Sequence, residues 1–99
     1  MRLSEAHRRI IREEVARLFG SEAEVLLFGS RLDDAARGGD VDLLVRVPHP
    51  VEDPLMAAAR LATRLERRFD GRRVDVLLLT PDTPRQPIHD IAERTGVPL

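Results

Sequence analysis

The sequence predicts an α/β (α+β) domain in which helices flank a small mixed sheet of about three or more strands. Short, almost wholly apolar runs alternate with longer stretches whose apolar residues recur every three or four positions. These are the patterns of buried strands and of amphipathic helices. Glycine or proline stands at most of the junctions. The predicted order is helix, strand, short helix, strand, helix, strand, helix, and we expect one domain over residues 1–99.

The first third of the chain predicts a helix, a strand and a polar turn. The helix covers residues 4–19, with Ser4 as N-cap and Gly20 as its stop. A buried strand follows over residues 24–28, and residues 31–37 are compatible with a short helix before the glycine pair 38–39. The apolar stripe predicted to cover the sheet from the first helix is Ala6, Ile10, Val15, Leu18 and Phe19.

The remaining elements are two strands and two helices. The second strand covers residues 41–47, and Asp53-Pro54 starts a long helix that Gly71 ends. The third strand covers residues 73–79, and a last helix covers residues 88–94. The long helix permits a parallel pairing of strands two and three, whereas the shorter link favours an antiparallel pairing of strands one and two. The stripes predicted to be buried are Leu55, Ala58, Ala62, Leu65 and Phe69 on the long helix, and Ile88, Ile91 and Ala92 on the last.

Three aspartates interrupt the predicted strands. Asp40 and Asp42 are two positions apart and therefore share one face of the second strand. Asp75 lies inside the apolar run of the third strand, where an uncompensated carboxylate is costly. Neighbouring carboxylates repel each other, and a divalent cation such as Mg²⁺ removes that repulsion with the oxygen ligands it prefers. The three aspartates therefore predict a metal-dependent phosphoryl or nucleotidyl transfer site.

The spacing of these residues resembles one superfamily signature. Phe28, then Gly29-Ser30, nine residues, and Asp40-Val41-Asp42-Leu43 are similar to the motif of the nucleotidyltransferase superfamily, which includes DNA polymerase beta. The resemblance covers nearly the whole chain and implies the nucleotidyltransferase fold. At this length the chain is identified as a minimal nucleotidyltransferase (MNT) domain, the antitoxin partner of HEPN toxins in prokaryotic two-gene modules.

The resemblance also implies roles for individual residues. Asp40 and Asp42 bridge two Mg²⁺ ions, and Asp75 completes the site of the catalytic ion. Gly29, Ser30 and Arg31 bind the phosphates of ATP. The implied reaction is attack of a protein hydroxyl on the α-phosphate of ATP, which releases pyrophosphate. In that family the acceptor is a tyrosine of the cognate HEPN ribonuclease toxin, so the implied enzyme is a protein adenylyltransferase.

An alternative function stays open at this point. The domain could neutralise the toxin by forming a complex with it, without catalysis. The arginine-rich helix around residues 60–68 and the last helix are candidate docking surfaces for that function. Either function predicts a hetero-oligomer. Transfer to a small molecule or to nucleic acid is disfavoured, since relatives with those activities carry further domains.

The composition excludes several other classes of site. Net charge is −1, which gives no general attraction to nucleic acid, and the absence of cysteine rules out thiolate metal sites. No apolar run has the length of a membrane span, so we expect a cytoplasmic protein without a membrane partner. The three histidines (His7, His49 and His89) have no ligand spacing, and we expect them at the surface.

Overall fold

Ser4 and Asp53 start the two long helices, as the sequence predicts. In the computed structural model, which describes residues 3–29 and 41–99, the Ser4 side chain accepts a hydrogen bond from the His7 amide, and the Asp53 side chain accepts one from Met56. The helices are α1 (Glu5–Phe19), α2 (Pro54–Arg68) and α3 (Pro87–Thr95), and the strands are β1 (Glu24–Phe28), β2 (Val41–Arg46), β3 (Val74–Leu79) and β4 (Val97–Pro98). These bounds differ from the predicted ones by a few residues at most.

The four strands form one mixed sheet in the order β3-β2-β1-β4. β1 and β2 pair antiparallel, and β2 and β3 pair parallel, which confirms the pairing expected from the lengths of the links. β4 pairs antiparallel with β1 and was not predicted, because a strand of two residues has no readable period. β3 and β4 are therefore the edge strands of the sheet.

One side of the sheet, which we call the α1/α2 face, carries the main core. Here the side chains of alternate strand residues pack against both long helices. Leu43, Val45, Ile11, Leu61 and Leu65 are fully buried. Two residues of the stripes predicted on the two long helices are exposed instead. Ala6 and Leu55 both lie in the first turn of a helix, ahead of the part that covers the sheet.

The arginines of α2 make specific contacts with α1. Glu14 is 2% exposed, and its carboxylate accepts hydrogen bonds from Arg64 Nε (2.6 Å) and Arg68 Nη1 (3.1 Å). The bond from Arg64, together with that from Arg68, holds the pKa of the Glu14 carboxyl below its ordinary value although burial acts in the opposite direction. Arg64 and Arg68 therefore join the two helices.

The opposite side, which we call the α3 face, has a smaller core of Leu26, Leu44 and Ala92. Arg46 of β2 fixes α3 to the sheet through Glu93 (3.2 Å) and also pairs with Glu24 (3.1 Å). Arg85 contacts the same Glu93 carboxylate. The hydrogen bond from Arg85, and to a smaller extent that from Arg46, lowers the pKa of the Glu93 carboxyl.

The pattern of burial on α3 differs from the prediction. Ala92 is buried as expected, but Ile88 and Ile91 are 42% and 44% exposed. His89, expected at the surface, is 4% exposed. The helix is therefore rotated relative to the predicted stripe, so that it turns His89 inward. No helix in residues 3–29 and 41–99 is long and apolar enough to cross a membrane.

Candidate active site at the start of strands two and three

Two of the predicted aspartates lie side by side on neighbouring strands. Asp42 of β2 and Asp75 of β3 are register partners in the parallel pair, and strands in a sheet lie about 4.8 Å apart. Both belong to the α3 face, because Leu44 and Leu77, two residues further along each strand, pack there. The topology thus brings together two carboxylates that are 33 residues apart in the sequence.

Gly29 lies against the Asp42 carboxylate. It follows directly after Phe28, the register partner of Asp42 on β1. Its φ is +79°, and a Cβ added there would come within 2.6 Å of the Asp42 Oδ2 atom. Glycine is therefore required twice at this position, by the backbone conformation and by the approach of the carboxylate.

The Asp75 carboxylate faces solvent and is 55% exposed. Arg73 Nε lies 3.7 Å from its Oδ1 atom. A contact that the sequence did not reveal holds this part of β3 in place, since the Glu66 side chain of α2 accepts a hydrogen bond from the Val74 amide at 2.9 Å. Eight residues separate Glu66 from Val74, and no periodicity predicts a contact between a helix side chain and a strand amide at that distance.

Part of the predicted site falls outside the described residues. Asp40, Ser30 and Arg31 lie in the segment 30–40, as does the short helix predicted over residues 31–37. The described members of the predicted set are Gly29, Asp42 and Asp75, and the fold places all three at the same end of the sheet.

The donor chemistry at this end of the sheet fits a hard divalent cation. Asp42 and Asp75 offer carboxylate oxygens from two adjacent backbones, which are the ligands that Mg²⁺ prefers. Within residues 3–29 and 41–99 no group of three or more histidine, aspartate or glutamate side chains is arranged to hold a metal. The pair therefore needs a further ligand, and Asp40, which lies outside the described residues, is the predicted one.

A family comparison identifies the domain. The model of the nucleotidyltransferase domain family matches residues 8–97, which is most of the chain. The chain belongs to the nucleotidyltransferase domain family. The prediction made from the Gly-Ser and Asp-x-Asp spacing is confirmed at this level. No curated protein matches the sequence.

Solved structures share the fold of this nucleotidyltransferase domain. A chain in the crystal structure of a mutant MntA–HpeT toxin–antitoxin is 20% identical with a TM-score of 0.62, and the match covers 97% of this chain and 71% of that chain. A chain in a toxin–antitoxin crystal structure with AMP-PNP is 21% identical with a TM-score of 0.64, with coverages of 93% and 70%.

A third similar structure contains a modified toxin. It is the tri-AMPylated Shewanella oneidensis HEPN toxin in complex with MNT antitoxin. The matched chain is 18% identical with a TM-score of 0.57, and the match covers 92% of this chain and 70% of that chain. At such identities these matches establish the shared fold, which confirms the predicted small mixed sheet flanked by helices.

Proposed function

We propose that this chain is a Mg²⁺-dependent nucleotidyltransferase that transfers AMP from ATP to a tyrosine hydroxyl of a cognate HEPN toxin and so acts as its antitoxin. The observation that carries the proposal is the pair Asp42 and Asp75, in register on adjacent strands beside Gly29, in a member of the nucleotidyltransferase domain family. Folding alone gives little reason to place two like charges in that register.

The similar structures support the choice of nucleotide and acceptor. One contains AMP-PNP, an ATP analogue, and another holds a HEPN toxin that carries AMP groups beside an MNT antitoxin. The proposal extends those two properties to this chain. It also treats residues 1–99 as one minimal nucleotidyltransferase domain that forms a hetero-oligomer with the toxin in the cytoplasm.

Each residue of the predicted set has a role in the proposal. Asp40, Asp42 and Asp75 hold two Mg²⁺ ions, which when bound stabilise charge on the entering and leaving oxygens. Gly29 brings its backbone close to the nucleotide without a side chain in the way, and Ser30 and Arg31 contact the phosphates. The acceptor oxygen bonds to the α-phosphorus as the bond to pyrophosphate breaks, and the hydroxyl proton leaves to a base.

The exposure of Asp75 suits a macromolecular acceptor. More than half of its side chain is open to solvent, so a hydroxyl on another protein can reach it. The acceptor protein therefore completes the site in this proposal.

The test is a transfer assay with purified proteins. The chain is mixed with α-labelled ATP, Mg²⁺ and the product of the neighbouring gene, beside an Asp40→Asn, Asp42→Asn double variant. Asp90→Asn is the matched control, because it makes the same chemical change at an exposed surface ion pair on α3. Label on the partner with the wild type and the control, and none with the double variant, is the expected result.

Two other outcomes contradict parts of the proposal. A stable complex with no label from any protein would make the chain a binding antitoxin on a nucleotidyltransferase fold. Label that persists in the double variant would remove Asp40 and Asp42 from the metal site.

A further inference from the structure

A groove of about 550 Å³ runs along the free edge of the sheet, between the start of α2, the outer side of β3 and the start of α3. We call it the edge groove, and its main apolar lining residues are Leu55, Ala58, Val76, Leu78 and Ile88. Leu55 is 84% exposed, and it is one of the predicted core residues that the fold leaves outside the core. The groove thus has the edge of the core as its floor, and Leu55 and Ile88 are exposed apolar side chains on its walls.

Within the described part of the chain, two residues of β3 leave their outward backbone groups open in the groove. In the parallel pairing, Arg73 and Leu79 direct their carbonyls to β2, so the alternate residues direct their amides and carbonyls outward. The outward amide of Val74 is bonded to Glu66, and that of Thr80 to the Thr83 hydroxyl (2.9 Å). Between them lie Val76 and Leu78. Glu66 and Thr83 therefore occupy the outward amides at the two ends of the β3 edge. An extended segment can pair with the backbone of Val76 and Leu78 between them.

His89 adds a buried donor in the wall of the groove. Its Nδ1 accepts a hydrogen bond from the Gln86 amide at 2.9 Å, so in the neutral ring the proton is on Nε2. That Nε2 atom is buried and has no hydrogen-bond partner among the described residues. A buried donor without an acceptor is costly, so the wall of the groove holds a polar group that the described residues leave unsatisfied.

The charges of the groove specify the partner further. Asp53 and Asp82 are the charged residues among the described residues that line it, and no arginine lines it although the chain has 16 basic residues. An apolar groove with two carboxylates at its rim attracts a segment in which arginine or lysine flanks an apolar side chain.

We propose that the edge groove binds an extended segment of the protein acceptor, in which basic residues flank an apolar side chain. The segment pairs with the backbone of Val76 and Leu78, and its basic residues lie near Asp53 and Asp82. This inference rests on the proposed function for the identity of the partner as a protein. It adds the surface that holds the acceptor while its hydroxyl reaches Asp75 on the same strand.

The first measurement is the affinity of groove variants for the product of the neighbouring gene. Leu55→Glu and Ile88→Glu place a charge in the groove at positions already open to solvent. Val97→Glu is the matched control, since Val97 is 44% exposed and lies on β4, the opposite edge of the sheet. We expect each groove variant to raise Kd about tenfold or more, as for a central interface residue, and the control to bind like the wild type. Thermal melting of all three checks that they fold.

The second measurement follows the backbone. Amide hydrogen exchange by NMR is compared for the free chain and the complex. Val76 and Leu78 are expected to exchange fast in the free chain and to become protected in the complex. Protection of those two amides that depends on the concentration of the free chain would assign the groove to a second copy of this chain and overturn the proposal.

The AMP-transfer assay separates this inference from the proposed function. Groove variants that bind and modify the partner like the wild type would overturn the docking site and leave the transferase intact. Binding that depends on the groove, with no AMP transfer, would keep the docking site and overturn the proposed activity. A wild-type chain that does not bind the partner at all would overturn both.

Discussion

The Glu14 cluster on one side of the sheet and the candidate site on the other side differ in how their polar groups are placed. On the α1/α2 face the buried Glu14 receives hydrogen bonds from two arginines of the same chain. On or beside the α3 face Asp42 and Asp75 lie in register, and the buried His89 Nε2 has no partner among the described residues. The chain itself supplies two hydrogen bonds to Glu14, whereas Asp42 and Asp75 bring two like charges together at a place where a divalent cation would remove their repulsion.

This difference separates residues that serve the fold from residues that serve a function. A buried polar group with its bonds made contributes to one native structure, and its loss leaves partners behind without their bonds. A polar group without its bonds costs stability in the isolated protein and persists where a ligand repays that cost. Substitution of Asp75 should therefore change activity with little change in stability, and substitution of Glu14 should do the reverse.

The largest effect is expected for Asp75→Asn. Loss of one carboxylate charge should lower kcat/KM for AMP transfer by at least about a hundredfold, the size seen when a single charge-stabilising group is removed. The free energy of unfolding should change by less than about 1 kcal/mol, because Asp75 is more than half exposed and its contact with Arg73 is a surface one. A variant that keeps full activity would contradict the assignment of the α3 face to chemistry.

Glu14→Ala should have the opposite effect. It removes the buried acceptor of Arg64 and Arg68, and we expect a loss of about 2 kcal/mol, or roughly 10 °C in Tm, with AMP transfer unchanged at low temperature. Glu13→Ala is the matched control: Glu13 contacts the same Arg68 but is half exposed, so its loss should cost under about 0.5 kcal/mol. Equal melting temperatures for the two variants would contradict the structural role of Glu14.

The Glu14 carboxylate also makes the stability of the protein depend on pH in the acid range. Because the folded pKa of Glu14 is lowered, its contribution is present above the ordinary glutamate pKa of about 4.3 and is lost as pH falls through the folded pKa. The difference in Tm between the wild type and Glu14→Gln should therefore shrink as the pH is lowered through that window.

Gly29→Ala tests the contact between β1 and the site. The positive φ and the close approach of Asp42 Oδ2 should together cost about 1–2 kcal/mol and move the carboxylate, which lowers activity. Gly71→Ala separates the two causes, since Gly71 has a φ of +82° but nothing within 4 Å of the added Cβ. It should lose stability through backbone strain and keep its activity. Equal activity in both variants would mean that Gly29 does not position Asp42.

The strands and the site motif could be predicted from the sequence because both depend on local patterns of residue types. β2 alternates buried apolar residues with Asp42 and Arg46, and a period of two is read directly from the letters. The length of the link predicts the parallel pairing of β2 and β3, whereas the register that joins Asp42 to Asp75 is known only from the structure. The aspartates stand out because a strand is an unfavourable place for them.

Other features depend on contacts that no local pattern contains. The period of α2 places Leu55 in one stripe with Leu65, but it does not say that the sheet ends before Leu55 is covered. Likewise Ile88 and Ile91 share a stripe with Ala92, and only the packed structure shows that α3 turns Ala92 and His89 inward. Leu55, Ile88 and Ile91 were predicted to be buried but are exposed. Exposed apolar side chains of this kind are expected where a partner binds.

The smallest effect is expected at His49, in the loop between β2 and α2. Its two ring nitrogens lie 3.1 Å from the carbonyl oxygens of Pro50 and Phe19. Those carbonyls, Pro50 first, favour the protonated ring and raise the pKa of His49. Its contribution to stability is therefore fully present below the ordinary histidine pKa of about 6.5 and is lost as pH rises through the folded pKa.

Thermal melting measured from about pH 5.5 to about pH 8.5 tests this dependence, with His49→Gln as the comparison. The Tm of the wild type should fall towards that of the variant as the pH rises, while AMP transfer at a fixed pH is equal in the two proteins. The contribution of His49 to stability would then be lost as the pH rises, and that of Glu14 would be lost as the pH falls. A Tm difference that is constant across this range would show that the two carbonyls do not hold the charged ring.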